Sequence, residues 1–209
     1  MVQEGFQNTV KLRGVVAEPL TPSHTAFGEE FFSSSLAVPR TSGYEDRLPV
    51  TLSGRVISKR VPQIGDVVTV IGQLRSYNQY REGANRLILT VFAKDLFYAD
   101  TGEGYSNYIA LRGHLCKAPV YRTTPFGREI ADLLLAVNRA YQKSDYIPCI
   151  AWGRTARQLA GYAMGMNLSV IGRFQSREYE KQQPDGDTVK KTAYEVSVIT
   201  VEKVMDLSL

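Results

Sequence analysis

Cysteine, histidine and tryptophan are scarce in this chain of 209 residues, which holds two, two and one of them. Cys116 and Cys149 stand at a spacing that makes neither a disulfide framework nor a metal motif. His24 and His114 sit in unlike contexts with no second ligand near them, so no metal site is expected. No run of about 18 apolar residues is present, which argues against a membrane-spanning helix. The N-terminal "MVQEGFQNTVKLRG" lacks the basic-then-apolar order of a signal peptide, so the expected compartment is the cytoplasm. There is no Walker loop, no G-x-S-x-G and no H-E-x-x-H, and the acidic residues are scattered. No general acid or base can be nominated, and neither catalysis nor a cofactor is expected.

An excess of one charge is nearly lacking too. The 25 Lys+Arg and 21 Asp+Glu leave +4, with a pI near 9.0. Residues 1–98 carry 11 basic and 9 acidic residues, and 99–209 carry 14 and 12, so each part has +2. This balance permits a polyanionic partner without demanding one. At 44% hydrophobic, 22% charged and 10% aromatic, the chain reads as globular.

What the chain does have is a repeat. "NTVKLRG" at 8–14 returns as "NYIALRG" at 107–113, and "FGEE" at 27–30 as "FGRE" at 126–129. "LAVPR" at 36–40 returns as "LAVNR" at 135–139, and "LPVTLSGR" at 48–55 as "IPCIAWGR" at 147–154, all at an offset of 99. After one insertion, "IGDVVTVIGQLRS" at 64–76 meets "MGMNLSVIGRFQS" at 164–176 at an offset of 100. Ordered self-similarity of this kind marks a tandem of homologous units. The expected organisation is a first domain over 1–98, a linker over 99–106 within "YADTGEGYSN", and a second domain over 107–209.

Each repeat reads as mostly β. Val10, Leu12, Gly14 and Val16 alternate with polar neighbours in a first strand. A second strand holds "EFFSSSLAVPR" and "EIADLLLAVNR", and a third holds "RLPVTLSGR" and "YIPCIAWGR". The fourth and fifth are joined by "NQYREGAN" and "EKQQPDGDTVKK", which read as hairpin tips. A short helix fits "TARQLAGYA" at 155–163, and its counterpart "VISKRVPQ" at 56–63, which contains Pro62, is expected to be shorter. The fold class is all-β: two tandem five-stranded OB-fold barrels, each with a short helix between strands three and four. An open β-sandwich is the competing architecture. Repeated Gly14/Gly113 and Gly54/Gly153 are expected to mark close backbone approach or strand curvature.

"YIPCIAWGR" carries the single tryptophan. Ile147, Cys149 and Ala151 point one way along a strand, and Tyr146, Pro148, Ile150 and Trp152 point the other. The small set suits a core; the aromatic set suits a second layer or a flat ligand.

"NYIALRGHL", "LAVNR", "IPCIAWGR" followed by "ARQLA", and "MGMNLSVIGRFQSREY" together resemble the bacterial single-stranded DNA-binding proteins. The resemblance covers nearly all of the second repeat and most of the first. It implies base stacking on four aromatic positions, which fall here on Tyr141, Tyr146, Trp152 and Tyr179. Arg139, Lys143, Arg154, Arg173 and Arg177 lie near them in sequence as candidate phosphate contacts. In the first repeat the four positions become Ser42, Arg47, Ser53 and Gln79. Its expected stacking face is polar, with Tyr44, Tyr77 and Tyr80 as candidate replacements and Arg40, Arg47, Arg55, Arg75 and Arg81 as candidate phosphate contacts.

The function so implied is binding of single-stranded DNA with little sequence preference, in replication, recombination or repair, by a nucleoid-associated protein. The resemblance also implies four OB folds per assembly, hence a homodimer, for which strand-one edges are the expected pairing surfaces. Relatives continue into a flexible segment with an acidic tip that recruits repair and replication proteins. The sequence in hand ends at "VEKVMDLSL", with one acidic residue after Lys203. That departure favours an alternative: a primosomal or mobile-element accessory protein of the same fold, acting mainly through protein contacts. A pure protein-interaction module is a third reading.

Overall fold

A computed structural model describes residues 8–81, 83–99, 104, 106–182 and 188–204. The residues after 204, and most of the expected linker, lie outside that description. Six strands form in the first repeat: β1 (Asn8–Val16), β2 (Thr21–Ala26), β3 (Glu29–Pro39), β4 (Glu45–Ser53), β5 (Val67–Arg81) and β6 (Ala84–Tyr98). The second repeats them as β7 (Ser106–Leu115), β8 (Val120–Thr123), β9 (Glu129–Arg139), β10 (Lys143–Trp152), β11 (Asn167–Gln182) and β12 (Thr188–Lys203), with α1 (Gly153–Leu159) after β10.

Each repeat closes on itself. In the first, β1 pairs with β5 along one side and reaches β3 at Val15↔Ala37 and Val16↔Leu36. Parallel contact of β4 with β6, Val50↔Val91, completes the ring. The second closes through β7–β9 at His114↔Ala136 and through β10–β12 at Cys149↔Val196. Alternation fills each interior: Val10, Leu12, Leu48 and Val70 in one barrel, and Leu111, Leu135, Ile147 and Phe174 in the other, are almost completely buried. Gly14 and Gly113 sit where strand one crosses to meet β3 or β9. A Cβ there would lie 2.5 Å from the Ala37 or Ala136 carbonyl oxygen, so only glycine allows the crossing. Gly54 and Gly153 differ from each other: Gly153 is left-handed (φ 53), whereas at Gly54 a Cβ would make ordinary contact.

Two expectations need correction, but not the strand count: each ring has the five strands expected, and β2 and β8 are hairpin arms added to β3 and β9 outside it. These arms are solvent-exposed along their length, so no alternation marks them in sequence. Among the described residues only one helix forms. The first repeat has a single turn after β4, where the Val56 N–H bonds the Ser53 carbonyl. Ile57 fills the place of Ala156, but Arg60 and Pro62 follow where Leu159 gives α1 its second buried contact. "NQYREGAN" holds the hairpin tip as expected, and the ladder runs far into it: Asn78 to Arg81 pair with Leu87 to Ala84. Most of "EKQQPDGDTVKK" is also strand.

Last, the strand-one edges are not free. β1 pairs antiparallel with β7 within the chain, from Asn8↔Leu111 to Arg13↔Ser106, and joins twelve strands into one sheet. Reciprocal latches lock this junction. Asp46 Oδ1 accepts from the Ser176 N–H (2.7 Å) and Oγ–H (2.9 Å), and Arg40 grips the same carboxylate. In the mirror position Asp145 Oδ1 accepts from the Ser76 N–H (2.8 Å), and the Tyr146 N–H donates to Ser76 Oγ (2.7 Å). Both carboxylates are fully buried, so each needs these donors in place of water.

Candidate nucleic-acid interface

β10 builds the aromatic face. Its hairpin with β9 runs from Lys143↔Arg139 to Trp152↔Ile130 without a register break. Ile147, Cys149 and Ala151 enter the core, and Tyr146 (49% exposed) and Trp152 (43%) project from the other side. Ile150, on that same side, is buried at 6% exposure, since β12 runs beside it. Trp152 ends the strand in extended conformation, and Gly153 then turns the chain into α1. Tyr141 stands at the β9–β10 turn with positive φ (61°) and is nearly fully exposed. Tyr179, on the long β11–β12 arm, lies under the Arg177 guanidinium at 5.7 Å.

The candidate cations divide into two groups. Lys143, Arg154 and Arg173 are exposed. Arg177 is exposed and within 3.6 Å of Glu195. The others are engaged elsewhere. Arg40 is held by Asp46 (2.6 Å) and by the Ser176 carbonyl (2.8 Å), so its guanidinium serves the junction. Arg75 and Arg139 approach Asp145 at 3.4 and 3.6 Å. Arg47 and Arg55 make exposed pairs with Glu45 and Glu29. The Arg81 side chain lies outside the described residues.

In the first repeat Tyr44 packs under Arg40 at 4.7 Å, and Tyr77 and Tyr80 project from β5 with half or more of their surface exposed. Ser53, on the expected stacking face, and Thr51, two residues before it, are nearly buried at 8% and 7% exposure. What covers them is a row of rings that alternation along β4 does not reveal: His24 on β2, Phe31 on β3 and Phe92 on β6. The signal available was "FF" at 31–32, one ring of which had to face away from the core. Phe27 and Phe126, in the repeated "FG" turns, are also almost fully exposed.

Among the described residues no three His, Cys, Asp or Glu side chains come together as a metal site, and no helix is long and apolar enough to cross a membrane. Burial raises the Cys149 thiol pKa above its ordinary value and suppresses the thiolate.

Residues 106–204 match the model of the single-strand binding protein family. The single-stranded DNA-binding protein of Enterococcus faecalis is 40% identical over 84 residues, which cover 37% of this chain and 45% of that protein. Single-stranded DNA-binding protein B of Bacillus subtilis is 37% identical over 84 residues, 37% of this chain and 74% of that protein. The chain spans about half the length of most curated relatives it matches. The crystal structure of the wild-type single-stranded DNA binding protein from Thermus aquaticus superposes with a TM-score of 0.76 at 23% identity, over 97% of this chain and 95% of that one. That likeness shows a common fold across both repeats. With this fold, and with 37% identity over an alignment that covers 74% of the Bacillus subtilis protein, the chain belongs to the single-strand binding protein family.

Proposed function

We propose that this chain binds single-stranded DNA with little sequence preference and without catalysing a reaction on it. Bases stack on Tyr146 and Trp152, with Tyr141 and Tyr179 extending the platform, and Lys143, Arg154, Arg173 and Arg177 neutralise phosphates. The observation that carries this reading is the half-exposure of Tyr146 and Trp152 on a strand whose internal copy folds with Arg47 and Ser53 in their places. The barrel therefore does not require these rings, and large exposed aromatics on a rigid strand suit flat ligands. The functional assembly in this proposal is a homodimer with four barrels. β1 and β7 are already paired, so the second copy docks on the outer sheet face, where exposed Phe97 and Tyr108 lie on either side of Lys11 and Ile71.

Trp152 is the single tryptophan and reports directly. Titration with oligo-dT is expected to quench its fluorescence strongly, with an affinity that falls as salt rises. Unchanged fluorescence together with unchanged mobility on a gel would sink the proposal and favour the accessory reading through protein contacts.

A further inference from the structure

The repeated "FG" lies at the tips of the β2–β3 and β8–β9 arms, where Phe27 and Phe126 stand almost entirely in solvent. In the first arm Ala26 pairs with Glu29, which leaves Phe27 and Gly28 as a two-residue turn, and both have positive φ (51° and 76°). Such turns favour Asn-Gly, and a bulky residue in the first position is strained. In the second arm the Thr124 N–H donates to the Arg128 carbonyl (2.8 Å), and Pro125, Phe126 and Gly127 (φ 73°) form a wider turn. Two different turns thus present the same ring before the same glycine. Backbone strain held at an exposed apolar ring points to a use for that ring.

The two tips differ in charge. At the first, Glu29 is paired with Arg55 (3.3 Å). At the second, Arg122 is paired with Asp132 (2.9 Å) and Arg157 with Glu129 (3.4 Å). That leaves Glu30 at one tip and Arg128 at the other, both exposed and neither in an ion pair among the described residues. One tip therefore offers a ring beside a carboxylate, and the other a ring beside a guanidinium. β2 and β8 are also the first and last strands of the twelve-stranded order, so the tips belong to opposite ends of the sheet. Like tips repel, whereas each tip is complementary to the other tip of a second copy.

We propose that copies of this protein associate head to tail, the Phe27 tip of one against the Phe126 tip of the next, with the rings in contact and Glu30 opposite Arg128. Contact between unlike patches does not close on two copies, so it propagates as an open chain. Burial of ring on ring supplies the attraction, and the charges set which tips meet. Two hairpin tips make a small contact, of the weak and transient class. It uses neither the aromatic face of β10 nor the sheet face around Phe97 and Tyr108, and it stands whether or not the chain binds DNA.

Sedimentation of the full chain without DNA, from micromolar to near-millimolar concentration, tests it. At low salt the weight-average mass of wild type is expected to keep rising past that of a dimer, and to rise less at high salt. Glu30→Arg alone and Arg128→Glu alone are each expected to lose that rise. An equal mixture of the two is expected to regain it, because the tips of the two variants again carry opposite charges. Phe27→Asn is expected to lose the rise while its Tm goes up, since asparagine suits the left-handed turn. That gain in Tm separates a missing contact from a failed fold. A wild-type mass that stops at or below the dimer overturns the proposal. So do single charge reversals or a Phe27→Asn variant that associate like wild type, and so does a mixture as dispersed as its components.

Discussion

Val10 and Ile109, the same position in the two copies, are direct partners across β1 and β7. The register is symmetric about them: Asn8 faces Leu111, and Leu12 faces Asn107. A pseudo-twofold axis therefore passes between the two residues, and the pairing is nearly isologous. A strand that pairs with its own homologue in this way carries a self-complementary edge. Expressed alone, residues 106–204 would expose that edge on β7. They are expected to sediment as a dimer with Ile109 opposite Ile109; a monomer at micromolar concentration would contradict this.

The latches make a second expectation. Asp46→Asn keeps the shape and removes the charge that Arg40 and Ser176 recognise. A hydrogen bond to a charged group contributes about 1.5–3 kcal/mol, and urea unfolding should show a loss in that range. Asp132→Asn removes the exposed pair with Arg122 and should cost under about 1 kcal/mol. Equal effects of the two changes would mean that the junction is not the locus of stability.

Trp152→Ala is expected to weaken oligo-dT binding by roughly five- to a hundredfold, the effect of about 1–3 kcal/mol per stacked base. Ser53→Ala, at the equivalent but covered position, should leave affinity within about twofold. Comparable losses at both positions would place the two strands on the same footing and remove the asymmetry between repeats.

Glu195 sets a pH dependence. Burial raises its pKa above the ordinary 4.5, with Arg177 opposing. The native state then holds this proton more tightly than the unfolded chain, so stability falls as pH rises from about the unfolded value through the folded one. Glu195→Gln is expected to raise Tm near pH 7 and to make little difference at pH values below 4.5. A Tm gain that persists undiminished in acid would point to packing rather than ionisation.

The barrel was legible because its signals are local and doubled. Period-two alternation in β1, β4 and β10, glycine at the strand-one crossing and the turn-forming residues recur at a fixed offset, and each copy vouches for the other. β2 and β8 were not legible, since strands exposed along their length carry no alternation. The helix expected over 56–63 failed for a related reason. Helical length there depends on a second buried contact, which Leu159 supplies and Arg60 does not.

By itself, the sequence determined that Tyr146 and Trp152 face away from a core that Ile147, Cys149 and Ala151 fill, because side chains alternate along any strand. Tertiary structure decided which cations remain available and what the first repeat offers. Arg40 and Arg75, alike in sequence to any exposed arginine, are drawn to Asp46 and Asp145 because the β1–β7 junction buries those carboxylates, and a buried charge must be paired. Ser53 read as an open polar position, yet Phe31 faces it from the neighbouring strand. Which strand lies beside which is set by barrel closure, and no pattern along a single segment encodes it.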